Sequence, residues 1–323
     1  MFEPQLLHPV HEFGHRTVDF SRRIAVMAIV NRTPDSFYDG GSTYGLRDAV
    51  DAALRAVEAG ADWVDIGGVP FAPGPALPAT EEAERIVPVI REVRAQSDVI
   101  ISADTFLPSV AAAAIEAGAD AVNDTTGLAD PELARVVADA GVHLVLTHSL
   151  ARPRTAYPRP RYDDVVADVL DFLRRRIDTA LEAGAAPGQL IVDPGHDLNK
   201  NTLHTLELTR RFEEVAGLGY PALAAVSNKD FIGESLGLPK RGRTAGSLAA
   251  AAMCAMNGAR IVRMHNVEES VQAMRLLEAA MGWREPAYLR HNMGEANAPA
   301  PDDHPSGSAP AAGGTPRAQE TRH

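Results

Sequence analysis

One short pattern recurs along the chain and constrains its fold. A stretch of helical character ends in a small pair containing glycine, and an apolar run that finishes in polar residues follows. Glycine suits the end of a helix because it adopts the left-handed conformation at little cost. The apolar runs are short, which is typical of parallel strands buried on both faces. The pattern is found at five places: Ala59-Gly60, Ala117-Gly118, Ala140-Gly141, Ala183-Gly184 and Asn257-Gly258.

Three further apolar runs, at residues 24–31, 99–105 and 221–229, bring the number of expected strands to eight. Amphipathic helices are expected at residues 47–59, 80–95, 108–117, 131–140, 163–183, 203–215, 244–256 and 267–281. Eight alternating units predict an α/β fold, a single (β/α)8 TIM barrel with its site at the C-terminal ends of the strands. A doubly wound sheet is the alternative, but it would need a glycine-rich phosphate loop after the first strand, which the sequence lacks.

Composition sets the limits of this barrel and excludes some classes of function. We expect an N-terminal extension at residues 1–21, the barrel at 22–291, and a disordered tail rich in Pro, Ala, Gly and Ser at 292–323. Neither a membrane span nor a signal peptide is recognisable, so we predict a cytoplasmic protein. The net charge of −12 opposes binding to nucleic acid or to anionic membranes. Cys254, with no basic residue near it in sequence, is expected to be a buried core thiol.

Every expected strand ends on a polar residue. In a barrel these ends form one surface, so the side chains predict a single polar pocket. The residues are Asn31, Asp65, Asp104, Asn123, His148, Asp193, Lys229, Arg263 and His265. Other roles stay open for some of them: a strand-end aspartate can cap a helix or anchor a loop, and Arg263 can pair with a nearby carboxylate. His148 can equally be a core histidine whose hydrogen bonds are satisfied.

The residue types in this pocket suit a flat heterocycle attached to an anion. Asp104, Asn123 and Asp193 offer acceptors and an amide donor for ring N–H groups and ring nitrogens. Lys229 can donate to a ring carbonyl or ring nitrogen. Arg263, with the histidine two positions further on, supplies the local positive charge that a phosphate requires.

Seven ordered motifs between residues 24 and 281 resemble those of the dihydropteroate synthase family. They lie at residues 31–37, 65–68, 102–105, 123–124, 193–195, 227–229 and 263–265. The first, Asn-Arg-Thr-Pro-Asp-Ser-Phe, is the most specific and is similar to a mobile loop after the first strand of these enzymes. The family joins 6-hydroxymethyl-7,8-dihydropterin pyrophosphate to p-aminobenzoate and releases pyrophosphate, a step of folate biosynthesis.

The resemblance implies a role for each motif residue, a small-molecule pterin substrate and a homodimer. It assigns pterin binding to Asp104, Asn123, Asp193 and Lys229. It assigns pyrophosphate binding to Asn31, Arg263 and His265. Asn31 would also bind the implied Mg²⁺ cofactor, and the catalytic residues would be Asp104, Lys229 and Asp35. These roles fit the chemistry, because cations stabilise a departing pyrophosphate while a carboxylate offsets the electron-poor methylene that remains.

The chain departs from the family's pattern around the second substrate. The motif after the second strand normally reads Glu-Ser-Thr-Arg-Pro-Gly, but Phe71 and Ala72 stand in place of its Thr and Arg. Asn228 replaces an arginine, Asp230 follows the expected lysine, and Asp197-Leu198 replaces Gly-Phe in the sixth loop. Asp230 places a negative charge where the carboxylate of p-aminobenzoate would approach. These departures put standard synthase activity in question, and the chain resembles the divergent second paralogue of some high-GC bacteria.

Three functional hypotheses follow. The leading one is a dihydropteroate-synthase-like, pterin-binding transferase, either of the standard reaction or with an altered second substrate. The second is a catalytically silent paralogue that acts as a pterin-binding or regulatory protein. The third is a folate-dependent methyltransferase barrel, because such enzymes share this pterin pocket, although Arg263, His265 and the loop after Asn31 argue against it.

Overall fold

The computed structural model describes residues 1–14, 16–32, 45–69, 73–155, 159–289 and 291, and the predicted TIM barrel is confirmed. Eight parallel strands of these residues close into a barrel in the order β10-β3-β4-β5-β6-β7-β8-β9. The strands are β3 (Ala25–Asn31), β4 (Trp63–Gly67), β5 (Ile100–Asp104), β6 (Ala121–Asp124), β7 (His143–Thr147), β8 (Leu190–Asp193), β9 (Ala222–Ala224) and β10 (Ala259–Met264). A hairpin of β1 (Val10–Phe13) and β2 (Arg16–Asp19) precedes them.

Helices follow the strands at nearly the predicted places. They are α1 (Leu46–Glu58), α2 (Ala79–Arg94), α3 (Pro108–Glu116), α4 (Glu132–Ala140), α5 (Val165–Glu182), α6 (Thr202–Arg210), α7 (Phe212–Ala216), α8 (Asp230–Leu236), α9 (Thr244–Met256) and α10 (Val267–Ala280). All five glycines of the recurring pattern have positive φ, as the predicted helix ends require. The single helix predicted at 203–215 is two helices, and α8 occupies a stretch where no helix was predicted.

The interior of the barrel has an apolar lower layer and a polar upper layer on the same strands. Trp63, Ile100 and Ile261 belong to the apolar cluster inside the barrel. Two positions further along each of these strands stand Asp65, Ser102 and Arg263. Since residues two apart on a strand point to the same face, these polar side chains lie directly above the apolar layer. On these three strands the polar groups therefore lie towards the mouth, the end at which the strands finish.

The hairpin β1–β2 packs against the base of the barrel. Phe13 is buried, and its ring centroid lies 5.2 Å from that of Trp63 and 3.8 Å from that of His143. The buried His11 lies 5.2 Å from His143, between ring centroids. Burial lowers the pKa of His11 to about 4 and that of His143 to about 3, so both rings are neutral near pH 7. No element was predicted for this segment.

The remaining predictions for the chain ends and the cysteine have mixed outcomes. Cys254 is buried in α9, as predicted. Residues from Glu285 onwards form a second unit, in which the described residues, 285–289 and 291, contain no helix or strand. The predicted disordered tail at 292–323 lies outside the described residues. None of the described helices combines the length and the apolar character that crossing a membrane requires.

Candidate functional site

Asp65 is the centre of the polar layer. Its fully buried carboxylate accepts hydrogen bonds from Ser102 Oγ at 2.5 Å, Asn123 Nδ2 at 3.0 Å and Arg263 Nε at 2.6 Å. Strand β4 continues for two residues beyond Asp65, so this carboxylate lies one layer below the rim. It ties β4 to β5, β6 and β10 and fixes the orientation of the side chains above it.

Arg263 also contacts Asp104, so one guanidinium serves two carboxylates. Its Nη2 lies 3.1 Å from Asp104 Oδ2, and the pairing with carboxylates that the sequence left open is confirmed. Burial and the nearby charge of Asp65 raise the pKa of Asp104 to about 7, and Arg263 opposes this shift only in part. Asp104 therefore changes its protonation state near neutral pH. Within the described residues, Nη1 of Arg263 makes no hydrogen bond.

Gly67 lies between two of the predicted site residues, Asn31 and Asp104. A Cβ atom added at Gly67 would lie 3.2 Å from Asn31 Oδ1 and 3.4 Å from Asp104 Oδ2. Asn31 ends β3 and pairs in register with Gly67, which in turn pairs with Asp104 on β5. A side chain at position 67 would crowd both groups, so glycine allows the Asn31 amide and the Asp104 carboxylate to lie close together beside β4.

Asp193 ends β8 and anchors the loop that follows it. Its Oδ1 accepts the N–H of Gly195 at 2.7 Å, the loop-anchor role that the sequence left open for such an aspartate. Gly195 has a φ of +69°, and a Cβ there would lie 2.1 Å from the carbonyl oxygen of His148, so glycine is required. Burial raises the pKa of Asp193 to about 6. One oxygen of this carboxylate is thus held by backbone at the edge of the mouth.

Lys229 lies in a loop and not at a strand end. The strand predicted at 221–229 stops at Ala224, and Lys229 directly precedes α8. The correction has a physical reason, because the apolar run continues to Val226 while its ladder of backbone hydrogen bonds does not. Burial lowers the pKa of Lys229, whereas the charges of Asp197 and then Asp193 act against this shift.

The two histidines predicted at strand ends have different surroundings. His265 follows β10 and is partly buried, with its backbone N and its Nδ1 at 3.1 Å and 3.0 Å from Ser227 Oγ. His148 is buried, and its Nδ1 lies 2.8 Å from the Nζ of Lys200. Burial and the charge of Lys200 lower the pKa of His148 to about 2. His148 is therefore a core histidine with a satisfied ring nitrogen, the second of the two roles that the sequence left open.

Lys200, which the sequence did not single out, fixes the loop after β8. It is 7% exposed, and its Nζ donates to the carbonyl oxygens of Gly195 at 3.0 Å and Leu198 at 3.1 Å. Burial lowers its pKa to about 7. Nothing in its sequence position distinguishes it, because its partners are backbone carbonyls and one histidine far along the chain.

Asp230, the residue expected to repel a carboxylate, has a counter-ion within the chain. Its Oδ1 lies 2.9 Å from Nη1 of Arg243. The same nitrogen donates to the carbonyl oxygens of Asn228 at 3.0 Å and Lys229 at 3.1 Å. The guanidinium thus holds the loop before α8, and the negative charge of Asp230 is compensated in place.

Several predicted features lie outside the described residues. These are the catalytic candidate Asp35 and the altered residues Phe71 and Ala72. Among the residues that are described, no group of three or more His, Cys, Asp or Glu side chains could hold a metal ion. The role of Asn31 as a metal ligand stays a prediction.

The site joins three of the predicted residues through Asp65, to which the sequence assigned no role of its own. Asp65 connects Asn123, Arg263 and, through Arg263, Asp104. Its signal in the sequence was a carboxylate two positions after Trp63 inside an otherwise apolar strand. The mouth combines buried acceptors, an amide and cations, a set that can bind a polar ring through several directed hydrogen bonds.

Comparisons with known proteins agree with this geometry. The family described as pterin binding enzyme matches residues 27–265. An inactive dihydropteroate synthase 2 of Mycobacterium leprae is 43% identical over 270 residues, 82% of this chain and 93% of that protein. The dihydropteroate synthase of Escherichia coli is 38% identical over 261 residues, which are 80% of this chain and 93% of that protein. A solved structure of Xanthomonas albilineans dihydropteroate synthase with 4-aminobenzoic acid is 40% identical, covers 85% of this chain and 98% of that one, and has a TM-score of 0.79.

Proposed function

Because this chain belongs to the pterin-binding enzyme family, we propose that its barrel mouth binds a pterin pyrophosphate and transfers the pterin to an altered second substrate. The observation that carries the proposal is the buried carbonyl oxygen of Asn123, which has no hydrogen-bond partner among the described residues. Its amide nitrogen already donates to Asp65, so the carbonyl oxygen is the group of this side chain that remains for a ligand. A buried acceptor without a partner is rare, and a ring N–H of a ligand would satisfy it.

The pterin would be bound by side chains from four parts of the barrel. Asn123 would accept a ring N–H, and the carboxylates of Asp104 and Asp193 would accept others. Lys229 would donate to the ring carbonyl or a ring nitrogen. The Asp65 network fixes the Asn123 amide and positions Asp104 through Arg263. Because these side chains are already ordered, binding a pterin would cost little side-chain entropy.

The pyrophosphate would leave towards the cationic rim. Arg263 near the end of β10 and His265 directly after it would bind the pyrophosphate, together with Asn31 at the end of the neighbouring β3. Asp104, ionised above its pKa of about 7, would offset the positive charge that develops on the methylene carbon. When bound, Mg²⁺ would supply Lewis-acid stabilisation of the leaving oxygens, held mainly by the pyrophosphate itself with Asn31 as one ligand. Lys229 would hold the ring in place, and Asp35 stays a candidate for closing the site.

A direct test follows pyrophosphate release from 6-hydroxymethyl-7,8-dihydropterin pyrophosphate and p-aminobenzoate, with pterin affinity measured separately by calorimetry. We expect pterin binding and slow or absent release. Asp193→Asn should weaken pterin binding about 10- to 100-fold, because a charged acceptor of ring N–H groups is lost. Asp171→Asn, an exposed carboxylate paired with Arg174 on α5, is the matched control and should leave the affinity unchanged. Unchanged affinity in the Asp193 variant would remove this residue from the site.

The catalytically silent alternative is favoured by the likeness to a relative that is named inactive. The substitutions at Phe71 and Ala72 point the same way. If they cause the silence, the double change to Thr and Arg should raise pyrophosphate release, whereas an unchanged rate would locate the cause elsewhere. Methyl transfer from methyltetrahydrofolate would contradict both hypotheses. A homodimeric, cytoplasmic protein that binds neither nucleic acid nor membranes stays our expectation.

A further inference from the structure

We infer that Asp197 makes the second-substrate side of the mouth select an uncharged or cationic nucleophile over an amine that carries a carboxylate. The inference rests on the proposed function, because it concerns the partner to which the pterin would be transferred. It is drawn from the two loops that meet beside Lys229, one after β8 and one after β9.

The backbone donors on this side of the mouth are already occupied by a carboxylate of the chain itself. Asp197 Oδ2 accepts the N–H of Asp230 at 2.6 Å and the N–H of Phe231 at 3.3 Å. These N–H groups belong to the first two residues of α8, immediately after Lys229. A carboxylate of a ligand that approached the same place would find these donors taken and a negative charge already present.

The loop that carries Asp197 is built to hold this side chain in position. Asp197 has a φ of +63° and Asn199 a φ of +52°, in the left-handed region that favours glycine. Each is held there by its side chain, since Asn199 Oδ1 accepts the N–H of Leu150 at 2.7 Å. A glycine at 197 would adopt the same backbone with less strain. Aspartate tolerates this backbone better than most residues do, and compared with glycine it adds a carboxylate that contacts the start of α8.

The cations of this region are compensated by carboxylates of the same two loops. Burial lowers the pKa of Lys229, and among the nearby charges the carboxylate of Asp197 opposes this shift most. Arg243 is paired with Asp230 and donates to backbone carbonyls. An anionic ligand would therefore add a negative charge to a site with no excess positive charge among these residues. A neutral or cationic group would instead find in Asp197 an acceptor for its N–H donors.

The test compares two ligands of the same shape and different charge, 4-aminobenzoate and 4-aminobenzamide. Each is titrated by calorimetry into the full chain, with and without 6-hydroxymethylpterin and pyrophosphate. For the wild type we expect the amide to bind at least 10-fold more tightly than the carboxylate. Asp197→Gly, which removes the carboxylate and relieves the backbone, should shift this ratio at least 10-fold towards the carboxylate.

Two further variants separate the local charge at position 197 from the shape of that side chain and from the net charge of the protein. Asp197→Asn keeps an oxygen for the two N–H groups but loses the charge, so its ratio should lie between those of the wild type and the glycine variant. Glu58→Gln, an exposed residue at the end of α1 away from the mouth, makes the same change in net charge and should leave the ratio unaltered. Circular dichroism establishes that each variant folds. If the glycine variant does not fold, the asparagine variant decides the question.

The outcomes distinguish this inference from the proposed function. If no protein binds the pterin, the proposed function fails, while the ligand ratio measured without pterin still decides the role of Asp197. If pterin binds and the ratio is the same in all variants, the inference is overturned and the proposed function stands. A wild type that prefers 4-aminobenzoate, or that binds neither ligand under any condition, overturns the inference as well.

Discussion

The base and the mouth of the barrel are made by the same strands, yet they respond to burial in opposite ways. At the base, burial keeps His11 and His143 neutral by lowering their pKa values. At the mouth, burial raises the pKa values of Asp104 and Asp193 towards neutrality. Burial disfavours the charged form of a group whatever the sign of its charge. The base of the barrel therefore loses stability in acid, and the mouth loses stability in alkali.

Linkage gives the direction for each end. The histidines have folded pKa values below the ordinary 6.5, so their contribution to stability is present above pH 6.5 and is lost as the pH falls towards 4 and 3. The aspartates have folded pKa values above the ordinary 3.8, so their contribution is present below pH 3.8 and is lost as the pH rises through about 6 and 7. Variants at each end can break or sharpen this contrast.

The largest effect is expected for Asp65→Ala at the mouth. The change removes the partner of Ser102 and Asn123 and leaves the buried Arg263 with Asp104 alone. Breaking a buried ion pair on one side costs about 3–5 kcal/mol in the free energy of unfolding, which urea titration measures. The exposed Asp171→Ala on α5 should stay within about 0.5 kcal/mol. A loss below 1 kcal/mol for Asp65→Ala would mean that the polar layer does not hold the mouth together.

A smaller change is expected for Asp104→Asn, which should raise rather than lower the free energy of unfolding at high pH. The amide cannot ionise, so the variant avoids the cost of a buried carboxylate whose pKa is raised to about 7. We expect its free energy of unfolding to gain on that of the wild type by about 3–4 kcal/mol between pH 4 and pH 8. Urea titrations at several pH values measure the difference. Parallel curves for the two proteins would show that Asp104 is ionised at little cost.

The smallest effect is expected for His143→Phe at the base. Phenylalanine keeps the aromatic contact with Phe13 and has no proton to gain. At pH 5.5, one unit below the ordinary pKa of histidine, the variant should recover about 1.4 kcal/mol relative to the wild type, and nothing at pH 8. Acid unfolding followed by tryptophan fluorescence reports the shift, since Trp63 lies in the same cluster. The same acid midpoint in both proteins would exclude His143 as a source of acid sensitivity.

Local sequence patterns made the barrel predictable, whereas contacts between residues far apart in sequence could not be predicted. The Ala-Gly helix ends and the apolar runs depend on neighbours in sequence, so strands and helices were placed to within a few residues. The hairpin at the base was missed because its strands have four residues each and carry no apolar run. The alternation of buried His11 and Phe13 with exposed neighbours was its only signal.

The candidate site shows the same division. The polar residues at the mouth were predicted as a group, because the ends of parallel strands meet at one surface. Their partners were not predicted, since Arg263 and Asp65 are 198 positions apart and only the closed barrel brings them together. The counter-ion of Asp230, 13 positions away, and the placement of Asp197 against the start of α8, 33 positions away, depend on how irregular loops fold, which no periodic pattern in the sequence indicates.

The hairpin packed beneath Trp63 has a consequence for the order of events in the pocket. With Phe13 and Phe20 buried under the apolar layer, the described barrel has its polar entrance at one end only. A molecule seated against the Asp65 layer must come and go by the way it entered. In the proposed transfer the second substrate would enter through the same opening and become bonded to the pterin, so substrates and products would share one path.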